Sequence, residues 1–355
     1  MHIARNVSLA SYTTFELGGP ARYFVSAHGE EELRDALAFA RELSLPLFVL
    51  GGGSNLVVAD RGFDGLVVHI RSRGVQTHKK GSLTLLEVEA GEAWDPFVER
   101  TVNAGLAGLE CLSGIPGSVG ATPIQNVGAY GQEVAQTIVS VRTLDATTGE
   151  IRTRLPSECG FRYRHSIFKE PSASAEIVTR VTFGLAEGPP TIRYPELERA
   201  LGGATQSLAV VRAKVIELRR SKSMVIDPTD ENRRSAGSFF TNPIVDPAMA
   251  DEVARRALAD GIITDPKEMP RFPEGARVKL SAGWLIERAG MVKGTRRGNV
   301  GISSKHALGL VHHGGGSATE LVALAREVVA AVRHKFGVTL VPEPVLLGFG
   351  AGEGV

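Results

Sequence analysis

The chain has 355 residues, which suggests about two or three domains, and its net charge of +1 gives no basis for binding nucleic acid or an anionic membrane surface. It contains no run of about 18 apolar residues that would span a bilayer. Its two cysteines, Cys111 and Cys159, belong to no Cys/His cluster, so the sequence predicts a reducing compartment and no metal site. Residues 1–6 lack the apolar core of a secretory signal, which also predicts a cytoplasmic protein.

The first hundred residues alternate between patterns typical of strands and of amphipathic helices. Strands are predicted at residues 22–27, 45–50, 56–58, 65–70 and 83–90. Helices are predicted at residues 30–43 and 96–104, where apolar side chains recur at helical spacing. This alternation predicts an α/β or α+β arrangement.

A glycine-rich loop, Gly-Gly-Gly-Ser-Asn at residues 51–55, separates two of these strands. Without Cβ atoms, successive backbone N–H groups can point into one concavity and bind an anion, usually a phosphate. No Lys-Ser/Thr follows, so the loop is not a Walker motif, and residues 56–58 resemble a strand rather than the helix that a dinucleotide fingerprint requires. The loop is therefore either an anion-binding loop or an ordinary glycine-rich turn.

Residues 111–131 form a second segment rich in glycine, whose apolar pattern suits neither helix nor strand for long. A loop of this length inside a compact domain is usually functional, and its small residues allow a flat ligand to lie against the backbone. The alternative is an ordinary irregular connection.

In the rest of the chain the sequence predicts further strands and helices, with a break in the pattern at residues 188–190. Strands are predicted at residues 139–144, 151–154 and 176–183, and helices at 207–220, 247–261 and 318–336. Residues 228–237 are expected to form a polar loop. The packed chain is expected to end at 338–341, and residues 348–355 resemble a frayed tail.

Three polar features are poorly explained by packing alone. Arg162 and Arg164 flank a tyrosine, and two guanidinium groups there suit a carboxylate, although a solvated turn is the usual explanation of such a cluster. Ser238, between a glycine and two phenylalanines, is either a capped turn or a proton donor in a dry pocket. Glu343, between two prolines, is either a carboxylate whose direction is fixed by a stiff backbone or a glutamate in a surface turn. Lys222, an isolated cation, is more typical of a surface.

Taken in order, these segments resemble the UDP-N-acetylenolpyruvoylglucosamine reductase family, from about residue 6 to residue 347. The resemblance rests on residues 6–8, 12–15, 17–21, 50–55, 114–121, 125–131, 163–166, 237–243, 283–287 and 342–344. It implies an α+β fold, with a vanillyl-alcohol-oxidase-type two-lobed FAD-binding domain plus a C-terminal α+β substrate-binding domain. The expected boundaries are 1–75 for lobe 1, 76–200 for lobe 2, 201–347 for the substrate-binding domain, with its last segment returning to lobe 1, and 348–355 for a flexible tail.

The resemblance also implies noncovalent FAD, since neither glycine loop contains a histidine that would attach it, and NADPH as the reductant. The expected cofactor-binding residues are Gly51, Gly52, Gly53, Ser54, Asn55, Leu56, Ile115, Pro116, Gly117, Ser118, Gly120, Ala121, Asn126 and Gly128.

The implied reaction reduces UDP-N-acetylglucosamine enolpyruvate to UDP-N-acetylmuramate for peptidoglycan synthesis. Hydride passes from flavin N5 to C3 of the enolpyruvyl group, and Ser238 gives a proton to C2. Arg164 and Glu343 stabilise the charge that develops. The expected substrate-binding residues are Tyr163, Tyr194, Lys222 and Asn242. The insertion at 184–205 and Tyr194 resemble the type I branch of the family.

The chain departs from the family pattern at two positions, Arg288 in place of an expected glutamine and Thr241 in place of a frequent lysine. Two other hypotheses are a sugar or alcohol oxidase of the same cofactor fold and a sugar-nucleotide-binding protein without catalysis. Such oxidases often attach FAD through a histidine, and a binding protein has no need of Arg164, Ser238 and Glu343. A monomer is expected.

Overall fold

The structure is a computed structural model that describes residues 1–170, 175–203 and 206–355, so the last two residues of the 184–205 insertion lie outside the described residues. The chain forms two compact units. The first unit comprises Met1–Val7, Ala21–Gly53 and Asp64–Ile226, and the second comprises Ser8–Pro20, Ser54–Phe63 and Asp227–Val355.

Helices and strands alternate through much of the described chain. The helices are α1 (Glu30–Glu42), α2 (Trp94–Asn103), α3 (Pro195–Leu201), α4 (Leu208–Arg220), α5 (Pro247–Ala259), α6 (Ala282–Arg288) and α7 (Ala318–Phe336). The earlier strands are β1 (Ala4–Ser8), β2 (Pro20–Ala27), β3 (Leu47–Leu50), β4 (Leu56–Val58), β5 (Phe63–Ile70), β6 (Val75–Lys80), β7 (Leu83–Glu89), β8 (Leu106–Ala107), β9 (Gly128–Ala129), β10 (Gln132–Glu133), β11 (Ile138–Asp145), β12 (Ile151–Arg154) and β13 (Glu176–Glu187). The later strands are β14 (Ile244–Val245), β15 (Arg271–Glu274), β16 (Arg277–Leu280), β17 (Arg296–Arg297), β18 (Val300–Ile302), β19 (Leu310–His312) and β20 (Val345–Leu347).

Besides the two-stranded pair β9–β10, the described part of the first unit contains two large sheets. One has the strand order β1-β2-β5-β3, with β3 and β5 parallel, and the other has the order β12-β11-β13-β7-β6 with antiparallel neighbours. Helix α1 follows its predicted pattern, because Leu33, Ala36, Leu37 and Ala40 are the side chains that it buries. These residues belong to one apolar core with inward-facing residues of both sheets.

Helix α4 also packs within the first unit, although the sequence pattern groups it with the substrate-binding domain. Val211 and Val215 on its apolar face are 0% exposed and contact Cys111 and Leu197. The last segment of the first unit therefore includes this helix and ends at residue 226.

The second unit is built on α7, whose predicted bounds are confirmed. Ser317 and Glu320 form a capping box at its start, and Gly337, with φ of +73°, ends it in the left-handed conformation that glycine adopts readily. The apolar face of α7 packs in a core with α5, α6 and two small antiparallel sheets. The mixture of helix and antiparallel sheet in the two units confirms the α+β class.

The end of the chain differs from the sequence prediction. The packed chain continues beyond residues 338–341, since β20 pairs in parallel with β4. The residues expected to form a flexible tail make several contacts: Arg61 forms an ion pair with Glu353, and Arg326 donates hydrogen bonds to the carbonyls of Gly352 and Gly354. A glycine-rich composition concealed these contacts, because most of them use backbone atoms.

Several strands were not predicted, among them β1, β6 and the short strands β14–β20 of the second unit. Strand β6, Val75–Lys80, has mostly exposed polar side chains and pairs with β7 at the edge of its sheet. An exposed edge strand lacks the apolar alternation on which strand prediction depends. Among the described residues, no helix is long and apolar enough to cross a bilayer.

Candidate active site

The two glycine loops that the sequence singled out lie against each other in the first unit. A Cβ atom added to Gly52 would lie 2.6 Å from the Cα of Gly117, and one added to Gly51 would lie 2.6 Å from Ser118 Oγ. Glycine is therefore required at residue 52 by close backbone contact. The adjoining Gly120 also lies close to the preceding strand, since its added Cβ would be 2.5 Å from Ala90 Cβ.

Hydrogen bonds fix the second of these loops. Gly117 O accepts from Trp94 N at 3.0 Å, Val119 N donates to Glu92 O at 2.8 Å, and Gly120 N donates to Ala90 O at 2.8 Å. Of the other predicted cofactor residues, Ile115 packs on the apolar core and Ala121 Cβ would be 3.7 Å from a Cβ on Gly51. The loops at 51–53 and 117–121 thus pack together, and backbone hydrogen bonds hold the second loop in place.

The end of the first glycine loop belongs to the second unit. Gly53, with φ of +62°, closes the segment of the first unit, and Ser54, Asn55 and Leu56 begin a segment of the second. Asn55 Nδ2 donates to Glu343 O at 3.1 Å, and Asn55 O accepts from Val345 N at 3.0 Å. Asn55 therefore holds the backbone that carries Glu343.

Arg164 lies in a tight turn that is fastened to the second glycine loop. The backbones of Arg162 and His165 exchange hydrogen bonds of 3.0 and 3.1 Å, and Arg164 takes the left-handed conformation, with φ of +52°. Its Nη2 donates to Gly128 O at 2.9 Å, and its guanidinium carbon lies 5.4 Å from the centre of the Tyr163 ring. The predicted carboxylate clamp is thus held beside the loop predicted to bind the cofactor.

The side chain of Asn126 holds that turn in place through hydrogen bonds. It is 1% exposed, and its Nδ2 donates to Glu133 Oε2 at 2.8 Å and to Arg162 O at 3.1 Å. Its Oδ1 accepts from Ala135 N at 3.2 Å. These bonds use the side-chain amide of Asn126 to shape the loop.

Arg219, which the sequence analysis did not select, lies behind the same loop. It is 9% exposed, its Nη2 donates to Met224 O at 2.6 Å, and its Nε has no hydrogen-bond partner among the described residues. This Nε would lie 3.5 Å from a Cβ on Gly114. Burial lowers the pKa of Arg219 to about 10. A buried cation with an unused donor is suited to an anionic ligand.

The sequence did contain a signal for Arg219. It continues the stripe of Leu208, Val211 and Val215, which are buried positions of α4, as Arg212 beside them also is. A charged residue on a buried face is seldom present without a partner or a function.

Tyr194 and Lys222, two predicted substrate ligands, both lie beside Tyr130 in the first unit. Lys222 Nζ lies 2.7 Å from Glu196 Oε2 and 5.7 Å from the centre of the Tyr130 ring. The rings of Tyr130 and Tyr194 meet edge to face, with centroids 5.5 Å apart. Burial raises the pKa of Tyr130 to about 12, so its hydroxyl stays protonated at neutral pH.

Ser238 and Glu343 are held on adjacent backbone segments of the second unit. Glu343 N donates to Phe239 O at 2.8 Å, Thr241 N donates to Val341 O at 3.0 Å, and Phe240 forms a bridge with Pro342. The two phenylalanines after Ser238 are 0% and 1% exposed, which fixes the serine at the edge of the core.

Asn242, predicted to contact the substrate, lies at the start of α6, where its Oδ1 accepts from Ala282 N at 2.9 Å. The unexpected Arg288 ends the same helix. No group of three or more His, Cys, Asp or Glu side chains suited to a metal ion occurs among the residues that the structure describes.

Comparison with known proteins gives matches in both parts of the chain. Residues 21–154 match the family described as FAD binding domain, and residues 227–347 match the C-terminal domain of UDP-N-acetylenolpyruvoylglucosamine reductase. The UDP-N-acetylenolpyruvoylglucosamine reductase of Thermobifida fusca is 50% identical over 353 residues, covering 97% of this chain and 98% of that protein. The protein of the same name from Streptomyces coelicolor is 49% identical, covering 96% and 89%.

Among solved structures, the UDP-N-acetylenolpyruvylglucosamine reductase of Thermus caldophilus matches with a TM-score of 0.66 and 29% identity, covering 98% of this chain and 99% of that one. The fold and its FAD-binding domain define the protein's class, which is the FAD-dependent oxidoreductases. The chain belongs to the UDP-N-acetylenolpyruvoylglucosamine reductase family. The predicted family, fold class and FAD are thereby confirmed.

The residues present fit a bound FAD. The close contact of residues 51 and 52 with 117 and 118 leaves backbone rather than bulky side chains at the place where a diphosphate is expected. The buried guanidinium of Arg219 supplies a positive charge beside the same glycine-rich segment.

Proposed function

We propose that this chain reduces UDP-N-acetylglucosamine enolpyruvate to UDP-N-acetylmuramate with NADPH, as a cytoplasmic monomer in peptidoglycan synthesis. Family membership over nearly the whole chain supports the reaction. Bound FAD would supply hydride, and the residues of the chain would bind the two substrates, neutralise charge and deliver a proton.

The cofactor would be held by the backbone of residues 51–55 and 114–121, and Asn126 and Gly128 would shape the remainder of its site. This proposal is supported by the close approach of Gly52 to Gly117, because such contact leaves backbone rather than side chains facing the ligand. Arg219 would add a fixed positive charge.

Arg164 would pair with the carboxylate of the enolpyruvyl group, and Tyr163 would pack beside it. Hydride addition to the enol ether leaves negative charge on C2 and on the carboxylate, so a guanidinium held in place stabilises the transition state more than the ground state. The hydrogen bond from Arg164 to Gly128 O supports this role, because it orients the guanidinium in advance.

Ser238 would donate a proton to C2, and Glu343 would hydrogen-bond the developing enolate. Serine is a very weak acid, so this transfer requires a strongly basic carbon and a fixed geometry. The observation that carries the proposal is the pairing of residues 239–241 with 341–343, since it holds a hydroxyl and a carboxylate from distant parts of the sequence on adjacent segments.

The diphosphate sugar of the substrate would be bound by Lys222, Tyr194 and Asn242. An ammonium group is a point charge suited to a diphosphate, and a tyrosine can both pack on and donate to it. The clustering of Lys222 with Tyr194 supports a shared ligand.

The decisive experiment separates the two half-reactions by stopped flow. In Ser238→Ala, flavin reduction by NADPH should be nearly unchanged, whereas reoxidation by the enolpyruvyl substrate should slow by several orders of magnitude. Ser82→Ala, in the exposed turn between β6 and β7, is the matched control. A Ser238→Ala enzyme in which both half-reactions survive would remove Ser238 as the proton donor, and rapid reoxidation by O₂ would instead support an oxidase.

A further inference from the structure

The ammonium of Lys222 already has an anionic partner within the chain. Lys222 Nζ lies 2.7 Å from Glu196 Oε2 and 5.7 Å from the centre of the Tyr130 ring, which in turn contacts the ring of Tyr194. We refer to these four residues as the Lys222 cluster. The carboxylate of Glu196 is bound to the same ammonium group that a diphosphate would use.

Packing of two helices fixes this ion pair. Glu196 lies in the first turn of α3, and its neighbour Leu197 is 0% exposed against Val211 and Val215 of α4. Lys222 follows the end of α4 by two residues. The carboxylate and the ammonium are therefore presented by packed elements, and their contact does not depend on two freely moving side chains.

Glu196 also lies two residues after Tyr194, which is expected to bind the substrate. Upstream of Tyr194, the backbone is anchored where Thr191 N donates to Oε1 of the fully buried Glu110 at 3.1 Å. Downstream, it is anchored by Leu197 in the apolar cluster. Between these anchors, the Glu196–Lys222 pair and the contact of Tyr194 with Tyr130 hold the segment in place.

The side chains of Lys222 and Glu196 are 29% and 33% exposed, so water screens their interaction only in part. A diphosphate approaching Lys222 would meet a carboxylate already on the ammonium, and the two anions repel each other. Binding therefore requires that Glu196 give up the ammonium or share it.

We propose that Glu196 is a built-in competitor for the diphosphate of the substrate, neutralising Lys222 in the free enzyme and releasing both Lys222 and the Tyr194 segment when a nucleoside diphosphate sugar binds. This inference rests on the proposed role of Lys222 in binding the diphosphate. The product carries the same diphosphate as the substrate, so return of Glu196 to Lys222 would also assist product release.

The test is a titration of the oxidised, FAD-loaded enzyme with UDP-N-acetylglucosamine, followed by calorimetry without NADPH. Glu196→Gln should bind about two- to five-fold more tightly than the wild type, the range typical of a solvent-accessible ion pair. Glu198→Gln, which makes the same charge change at an exposed position of the same helix, is the control and should bind as the wild type does. The difference should shrink as salt is added.

An unchanged or weaker affinity of Glu196→Gln for UDP-N-acetylglucosamine would refute the proposal that Glu196 competes with the diphosphate for Lys222. Lys222→Met distinguishes this failure from failure of the proposed function. Weaker binding in Lys222→Met would support Lys222 as a ligand of the diphosphate. Wild-type affinity in Lys222→Met would refute both the role of Lys222 as a ligand and the role of Glu196 as its competitor. In the Lys222→Met background, Glu196→Gln should have no further effect, and a tightening there would show that Glu196 acts by general repulsion and not through Lys222.

Discussion

Gly52→Ala tests whether contact between the two glycine loops builds the cofactor site. The added Cβ would lie 2.6 Å from Gly117 Cα and 2.9 Å from Gly117 C, so the loops must separate by roughly 0.8 Å to restore an ordinary contact. Overpacking of this kind costs about 1–3 kcal/mol. Because FAD requires the loops in their native positions, we expect its affinity to fall between about five-fold and 150-fold.

The assay is FAD binding to the apoprotein by flavin fluorescence, together with thermal unfolding. Gly51→Ala should have a smaller effect, because its Cβ would meet only Ser118 Oγ, a side-chain atom that can rotate away. Gly188→Ala is the control, since a Cβ there has no atom within 4 Å. If Gly52→Ala binds FAD and unfolds as Gly188→Ala does, the loop contact does not build the site.

Two further predictions concern buried groups of the first unit. Glu110 is 0% exposed and accepts hydrogen bonds from Gly108 N, Gln132 Nε2 and Thr191 N. Glu110→Ala should therefore lower the free energy of unfolding, measured in urea, by about 3–5 kcal/mol. A loss below about 1 kcal/mol would contradict this prediction. Burial lowers the pKa of His69 to about 4, so unfolding favours the protonated form and stability should fall as the pH drops from 6.5 towards 4. His69→Gln should flatten that slope, and an unchanged slope would refute the assignment.

Local sequence signals were sufficient for most long elements. The bounds of α7 were predicted because its apolar stripe, capping box and terminal glycine agree with one another. Strand β6 and strand β20 were not predicted, since the first is a polar edge strand and the second is only three residues long between prolines and a glycine-rich end. Their pairing partners, and not their own residues, make them strands.

The same distinction between local signals and distant contacts applies to the candidate site. Residue types identified the glycine loops, Arg164, Ser238 and Glu343, because each stands in a motif that packing alone explains poorly. No local motif indicates that Asn55 holds the backbone of Glu343, or that Asn126 holds the turn that carries Arg164. Both are hydrogen bonds between segments distant in the chain, which no local pattern encodes.

The sequence by itself determined the family, the cofactor and the residue types of the chemistry, since these depend on ordered motifs that are read one after another along the chain. Only the tertiary structure decided that α4 packs in the first unit, that Lys222 is already paired with Glu196, and that the Nε of buried Arg219 has no partner in the part of the chain that the structure describes. The physical reason is that burial and ion pairing depend on what surrounds a side chain, and those surroundings come from residues far away in sequence.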